Sequence, residues 1–244
     1  MLNEIILAVI QAATEFLPVS SSGHLALISN LIDKPNLFLF TMLHMASLLA
    51  VLIFTRKEIF SLLKFEKETR AWWLFLIIAT IPAALFGFFF NNKIESTFSS
   101  YLVLGVAFIF TGLVLFMTKY PKMSTKKING KNSFAMGLMQ ILALFPGVSR
   151  SGMTISTGMF QGVKKDQAAK FSFLLFIPLA IGAFILEFGG AYYSHSLLIA
   201  FIICLLLSLL FLNLLMKIIQ KGKFWWFSIY CFVLGLVSLW LHFR

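Results

Sequence analysis

Acidic residues, cysteines and histidines are all scarce in this chain. Asp and Glu number nine against 20 Lys and Arg, and only 12% of the 244 residues are charged. Soluble domains carry about a quarter charged residues, so this composition excludes an ordinary soluble domain and points to a membrane protein. The two cysteines, Cys204 and Cys231, sit inside apolar runs with no metal-binding or redox spacing, and we read them as packing residues. No basic residue precedes the first apolar run. Glu4 stands there instead and the run leads into Pro18, so the N-terminus does not read as a signal peptide. The net charge of +11 could suit nucleic acid, but lysines gathered in cytoplasmic loops explain it better. No nucleic-acid partner is expected.

What the chain has is apolar sequence: 60% hydrophobic residues and a mean hydropathy of +0.94. Its 29 phenylalanines are read as lipid-facing and packing residues. About 20 apolar residues span a bilayer as a helix. Six runs qualify: Leu37–Thr55, Ala71–Phe90, Tyr101–Thr118, Ala168–Phe188, Ser196–Met216 and Phe224–Phe243. Residues 2–31 and 133–160 are also apolar, but each is cut in its middle by Pro with Ser or Gly. Their halves are too short to cross, so each reads as a re-entrant hairpin, with its irregular backbone covered by protein.

Sixteen of the 20 basic residues fall in four segments: Arg56–Arg70, Lys119–Lys131, Lys164–Lys170 and Lys217–Lys223. These should be cytoplasmic. The alternation then places both termini outside, with the first hairpin entering from outside and the second from the cytoplasm. A shift of 129 residues superimposes the halves without a gap: Gln11 on Gln140, Phe16 on Phe145, Val19 on Val148, Ser20 on Ser149, Ser22 on Ser151, Gly23 on Gly152. One hairpin plus three spans is an odd number of crossings, so the copies must lie in opposite orientation. The expected fold is an all-α polytopic membrane protein, an inverted repeat of one re-entrant hairpin plus three transmembrane helices, with six full spans. Residues 1–118 form the first repeat, 119–131 a cytoplasmic linker and 132–244 the second repeat.

The hairpin tips hold the chemistry. Ser20 or Ser21 is a good N-cap for the half-helix after the first break, and Ser149 for the other. Helix N-termini present free N–H groups and positive potential, which suit phosphate. Arg150 is the one intramembrane cation. It would cost about 2.5–3.5 kcal/mol at a helix centre, and its fork matches phosphate oxygens. It could also simply bridge to Glu15, and the two roles are compatible. Thr154 lies four residues on, on the same face, where it either binds phosphate or bonds back to its own helix. Glu15 is the intramembrane acid, and Gln11 lies one turn before it. Together they could hold Mg²⁺ or Ca²⁺, with phosphate completing the shell; alternatively Glu15 only balances Arg150. Ser21 and His24, three apart, outline a nucleophile–base pair, with either as nucleophile. The bland alternative is a capping serine and a packed histidine. Ser20, Ser22, Ser149 and Ser151 read as caps and phosphate donors. His44, mid-span, is either functional or bonded to a neighbouring helix. Glu187 is read as interfacial, and His195 and His242 receive no role.

The segments "QAATEFLPVSSSGH" (Gln11 to His24) and "PGVSRSGMT" (Pro146 to Thr154) resemble the two motifs of the bacterial undecaprenyl-diphosphate phosphatases, the bacitracin-resistance phosphatases. "FSFLLFIPLAIGA" (Phe171 to Ala183) is similar to the family's span after the second motif, and the likeness covers essentially the whole chain. The resemblance implies a divalent-metal-dependent phosphatase of the bacterial inner membrane with a site open to the outer face. It would hydrolyse a long-chain isoprenyl diphosphate to the monophosphate carrier used in cell-wall synthesis. Carried over by motif, the functional residues are Gln11, Glu15, Ser21, His24, Ser149, Arg150 and Thr154. The family varies between Glu and Gln at the position of Gln11, and Gln here removes one possible carboxylate, so a metal site with two acidic ligands is not implied. The partners expected are the isoprenyl diphosphate, the bilayer and a second copy in a homodimer. Three rivals follow. The first is a lipid flippase of the same architecture. The second is the other lipid phosphatase superfamily, which needs a His where this chain has Ser156. The third is an inactive scaffold, against which the intact Glu15, Ser21, His24 and Arg150 argue.

Overall fold

A computed structural model describes residues 2–30, 37–65, 70–120, 125–187 and 194–244, without the side chains of Ser29, Leu37, Leu186 and Glu187. Among these residues the chain is all-helical, apart from a parallel bridge between Lys126 and Val163. The expected hairpins form two helix pairs, α1 (Leu2–Phe16) with α2 (Ser21–Ser29), and α7 (Gly130–Leu142) with α8 (Arg150–Phe160). α1 stops at Phe16, two residues before Pro18, whose ring disfavours helical backbone at the residue before it.

The six runs expected to span are helical: α3 (Leu37–Phe54), α5 (Arg70–Glu95), α6 (Tyr101–Met117), α9 (Lys165–Glu187), α10 (His195–Gln220) and α11 (Phe227–Phe243). α11 continues a short 3-10 turn, Phe224–Trp226. Among the described residues, four stretches are long and apolar enough to cross a membrane: Arg70–Glu95, Lys165–Ile185, His195–Gln220 and Phe224–Phe243. A fifth is reached if α3 is counted with the short α4 (Arg56–Leu63), which bends away from it by 69°. α6, at 17 residues, is shorter. The expected span ending at Phe90 runs on to Glu95 across a kink at Phe90. The Asp33–Asn36 loop and Phe188 lie outside the described residues, as does most of the loop before His195.

The exposed faces are apolar: Leu74, Phe88, Ile185, Leu206, Val233 and Leu236 all show more than half their surface. Such a continuous apolar exterior needs lipid around it. The interior pairing is reciprocal. α1 packs on α10 while α7 packs on α5; α3 meets α9 and α6 meets α11. The main core gathers Phe16, Leu48, Val51, Phe173, Phe176, Leu212 and Leu215. Phe16 stands edge-on to Phe173 and Phe176, each at 89°, which fixes the end of α1 against α9 directly beside Glu15.

Candidate active site

The two breaks are built alike. Ser20 caps α2 by accepting from Gly23 N at 3.2 Å, and Ser149 caps α8 by accepting from Gly152 N at 3.1 Å. Each capping hydroxyl also lies 3.3 Å from the serine two residues on, Ser22 and Ser151 respectively. The caps leave other N–H groups of each first turn without intrahelical partners. The two breaks differ in strain: Ser149 is extended, whereas Ser20 has φ 68, a conformation costing on the order of 1–3 kcal/mol.

The tips touch. Gly147 N donates to Ser20 Oγ at 3.1 Å. A Cβ on Gly23 would stand 2.7 Å from the Gly147 backbone, and Gly147 itself, with φ +94, has no room for one against Ala107 Cβ on α6 at 2.8 Å. From α6, Thr111 braces the second tip: its hydroxyl donates to Gly147 O at 2.9 Å and accepts from Ser149 N at 3.2 Å. Two helix starts are thereby held together inside the protein.

One carboxylate organises what lies beside them. Glu15 is 8% exposed. Arg150 Nη2 lies 2.7 Å from its Oε1. Ser21 Oγ donates to its Oε2 at 2.6 Å, Gln11 Nε2 donates to the same oxygen at 3.0 Å, and His44 Nε2 stands 3.5 Å away. His44 Nδ1 is bound to the Phe40 carbonyl at 2.9 Å. Gln11, Glu15, Ser21 and Arg150, all expected at the site, thus meet, and His44 joins them. The Arg150–Glu15 bridge is present, and removing either partner of such a buried pair costs about 3–5 kcal/mol.

Arg150 is also held from α9. Its Nη1 donates to Ser172 O at 3.3 Å, and its guanidinium sits 4.3 Å from the Phe176 ring centroid. Thr154 bonds back to Arg150 O at 2.8 Å, and its hydroxyl is 2.6 Å from Ser172 Oγ. Ser172, Phe176 and Thr111 were not singled out in the sequence. "FSFLLFIPLAIGA" contains two of them, but nothing in its spacing shows which turn faces Arg150.

Ser21 and His24 do not form a pair. Ser21 reaches back across the break to Glu15, while His24 Nε2 bonds the Tyr230 hydroxyl at 2.7 Å, on α11. Three residues on a helix still differ by about 60° in direction, enough to send the two side chains to different neighbours. His195 starts α10 and His242 lies in the last turn of α11, and neither joins these bonds. The side chain of Glu187 lies outside the described residues.

The donor set fits a hard divalent cation in part. Gln11 is fully buried, and its Oε1 has no hydrogen-bond partner among the described residues, beside a carboxylate. An amide oxygen next to a carboxylate is the ligand type that Mg²⁺ and Ca²⁺ take. Among the described residues no group of three or more His, Cys, Asp or Glu side chains is placed to hold a metal. These two groups alone would leave the shell of such a cation incomplete.

The model of one protein family, bacitracin resistance protein BacA, matches residues 4–237. The chain belongs to the BacA family. A relative in Thermosipho africanus, named undecaprenyl-diphosphatase, is 40% identical over 246 residues, covering 97% of this chain and 98% of the relative. Relatives of the same name in Methanococcus vannielii and Christiangramia forsetii are 38% identical over 243 residues and 37% identical over 254. The first alignment covers 96% of this chain and 98% of the relative, the second 97% and 96%. This BacA family member is a multi-pass membrane protein by its helices, and both tips with the Glu15 cluster fall inside the matched region.

Proposed function

We propose that this BacA family member is a membrane phosphatase that hydrolyses undecaprenyl diphosphate to undecaprenyl phosphate and inorganic phosphate. It thereby recycles the lipid carrier for peptidoglycan synthesis and confers bacitracin resistance. The observation that carries the reading is the convergence of Gln11, Ser21, His44 and Arg150 on the Glu15 carboxylate, beside two helix N-termini. Relatives named undecaprenyl-diphosphatase, aligned over nearly the whole chain, support the substrate.

Without substrate, Glu15 neutralises Arg150. The diphosphate takes that place: Arg150 turns its fork to phosphate oxygens, helped by the first-turn N–H groups of α2 and α8 and by Ser20, Ser22, Ser149, Ser151 and Thr154. Ser21, already donating to Glu15, attacks the terminal phosphorus, and its proton passes to the carboxylate. The Oγ–P bond forms as the bond to the bridging oxygen breaks, and undecaprenyl phosphate leaves with that electron pair. Water then displaces phosphate from Ser21, which recovers a proton, and His24 assists that proton movement. Catalysis is mainly positioning and charge stabilisation. Glu15 and Gln11 would hold a divalent cation, Mg²⁺ or Ca²⁺, whose charge would offset that of the diphosphate.

The proposal includes the topology. Six spans form an inverted repeat of residues 1–118 and 132–244 joined by the cytoplasmic linker 119–131, with both termini outside and the site open to the outer face. The matching caps at Ser20 and Ser149 and the reciprocal packing of α1 on α10 and α7 on α5 support the repeat. The basic loops support the orientation. The proposal extends to a homodimer, which light scattering in detergent would confirm or refute.

The test is phosphate release by purified protein from undecaprenyl diphosphate in detergent. A phosphatase needs no second compartment, whereas a flippase of this architecture would move the lipid and release nothing. Trapping a phosphoserine at Ser21 supports the mechanism; a phosphohistidine at His24 overturns the assignment of the nucleophile.

A further inference from the structure

His24 faces away from the Glu15 carboxylate, yet its ring is held from several sides. Nδ1 lies 2.7 Å from the Ser20 carbonyl. A carbonyl only accepts, so Nδ1 carries the ring proton. Nε2 is then the basic nitrogen of the neutral ring, and the Tyr230 hydroxyl 2.7 Å away donates to it. The planes of the two rings lie within 6° of each other, and Phe108 meets the imidazole edge-on at 88°. The neighbouring Cys231 donates to the Pro18 carbonyl at 3.7 Å, so α11 is pinned to the same tip that carries His24. The ring is left one orientation and one tautomer.

Packing alone does not explain the hydroxyl. Tyr230 is 45% exposed, whereas His24 is only 7% exposed. A tyrosine serving only as an apolar wall on a membrane helix would leave its hydroxyl toward the polar interface. This one spends it on a buried imidazole nitrogen.

We propose that Tyr230 is a positioning residue of this phosphatase, acting through His24: the Ser20 carbonyl sets the tautomer, and the Tyr230 hydroxyl, donating to the basic Nε2, holds the ring in one orientation against the start of α2. The inference rests on the phosphatase reading, in which His24 moves a proton.

Tyr230→Phe in the full-length protein is the test, since it keeps the ring and removes only the hydroxyl. Turnover of undecaprenyl diphosphate should fall about tenfold in kcat with KM unchanged, while the melting temperature stays near wild type. In protein labelled with ¹⁵N-histidine, the Nε2 signal of His24 should move toward that of a free ring nitrogen. Wild-type kcat in Tyr230→Phe overturns the proposal, as does a loss of kcat with the His24 signal unmoved. If wild-type protein itself releases no phosphate, the phosphatase reading fails, and the Nε2 signal still decides whether Tyr230 holds His24.

Discussion

Gly23→Ala asks whether the two hairpin tips must touch for the site to work. A Cβ on Gly23 would stand 2.7 Å from Gly147 Cα, Gly147 N and Phe108 Cζ. The Phe108 ring can swing aside, but Gly147 is backbone, held by its bond to Ser20 and by Thr111. Ordinary contact starts at 3.4 Å, so the tips must part by about 0.7 Å or more, an overpacking strain of about 1–3 kcal/mol. That movement separates Ser21 on one tip from Arg150 on the other. Catalytic groups tolerate misplacement of about 0.5 Å, and an error near 1 Å costs about 10²-fold in rate. Phosphate release from undecaprenyl diphosphate should therefore fall about 10²-fold in a variant that still runs as a single folded species in detergent. Gly182→Ala is the control, because a Cβ there meets nothing within 4 Å, and it should behave as wild type. Wild-type turnover in Gly23→Ala would refute the claim that the site is shared between the tips.

Arg150→Lys keeps the charge but loses the fork, so turnover should drop at least about tenfold. Arg150→Ala leaves Glu15 buried without its main partner and should also lower stability by about 3–5 kcal/mol in thermal or denaturant unfolding. Gly137→Ala places a Cβ 2.5 Å from the Ala79 carbonyl oxygen, between α7 and α5. It should destabilise by about 1–3 kcal/mol while leaving turnover per folded molecule intact. Ser172→Ala removes the hydroxyl beside Thr154 but keeps the carbonyl that holds Arg150. A loss of about 0.5–1.5 kcal/mol in stability and a change of no more than a few-fold in turnover are expected. A chelator should suppress phosphate release, and Mg²⁺ or Ca²⁺ should restore it; full activity in excess chelator would remove the metal from the account.

Much of this was legible in the sequence, because the governing interactions are local. Pro18 and the serines after it mark the first break, and Ser149 marks the second, through rules that span four residues. Apolar run length located α3, α5, α6, α9, α10 and α11, though not the 69° turn into α4. Arg56–Leu63 was read only as a basic loop, because its apolar face is a single turn or two long. Gln11 and Glu15, one turn apart, were placed on one face and are hydrogen-bonded. What could not be read was which distant helix each side chain would meet. Gln140, which falls on Gln11 when the sequence is shifted by 129 residues, pins α7 to α5 by donating to Ala79 O at 2.9 Å, and nothing local distinguishes the two glutamines. The same limit hid Ser172 and Phe176 behind Arg150, and Tyr230 beside His24. Helical spacing shows which residues share a face; the partner across that face is decided by tertiary packing.

The central claim is that the carboxylate of Glu15, joined to Ser21 and Arg150, is the working centre of an undecaprenyl diphosphate phosphatase. Glu15→Gln preserves size but removes the charge and the base and turns one accepting oxygen into a donor. The most direct measurement is inorganic phosphate released from undecaprenyl diphosphate by purified wild type and Glu15→Gln, side by side in detergent. Wild type should release phosphate steadily, and release should fall at least about 10²-fold in the variant. Equal release by the two proteins would contradict the central claim.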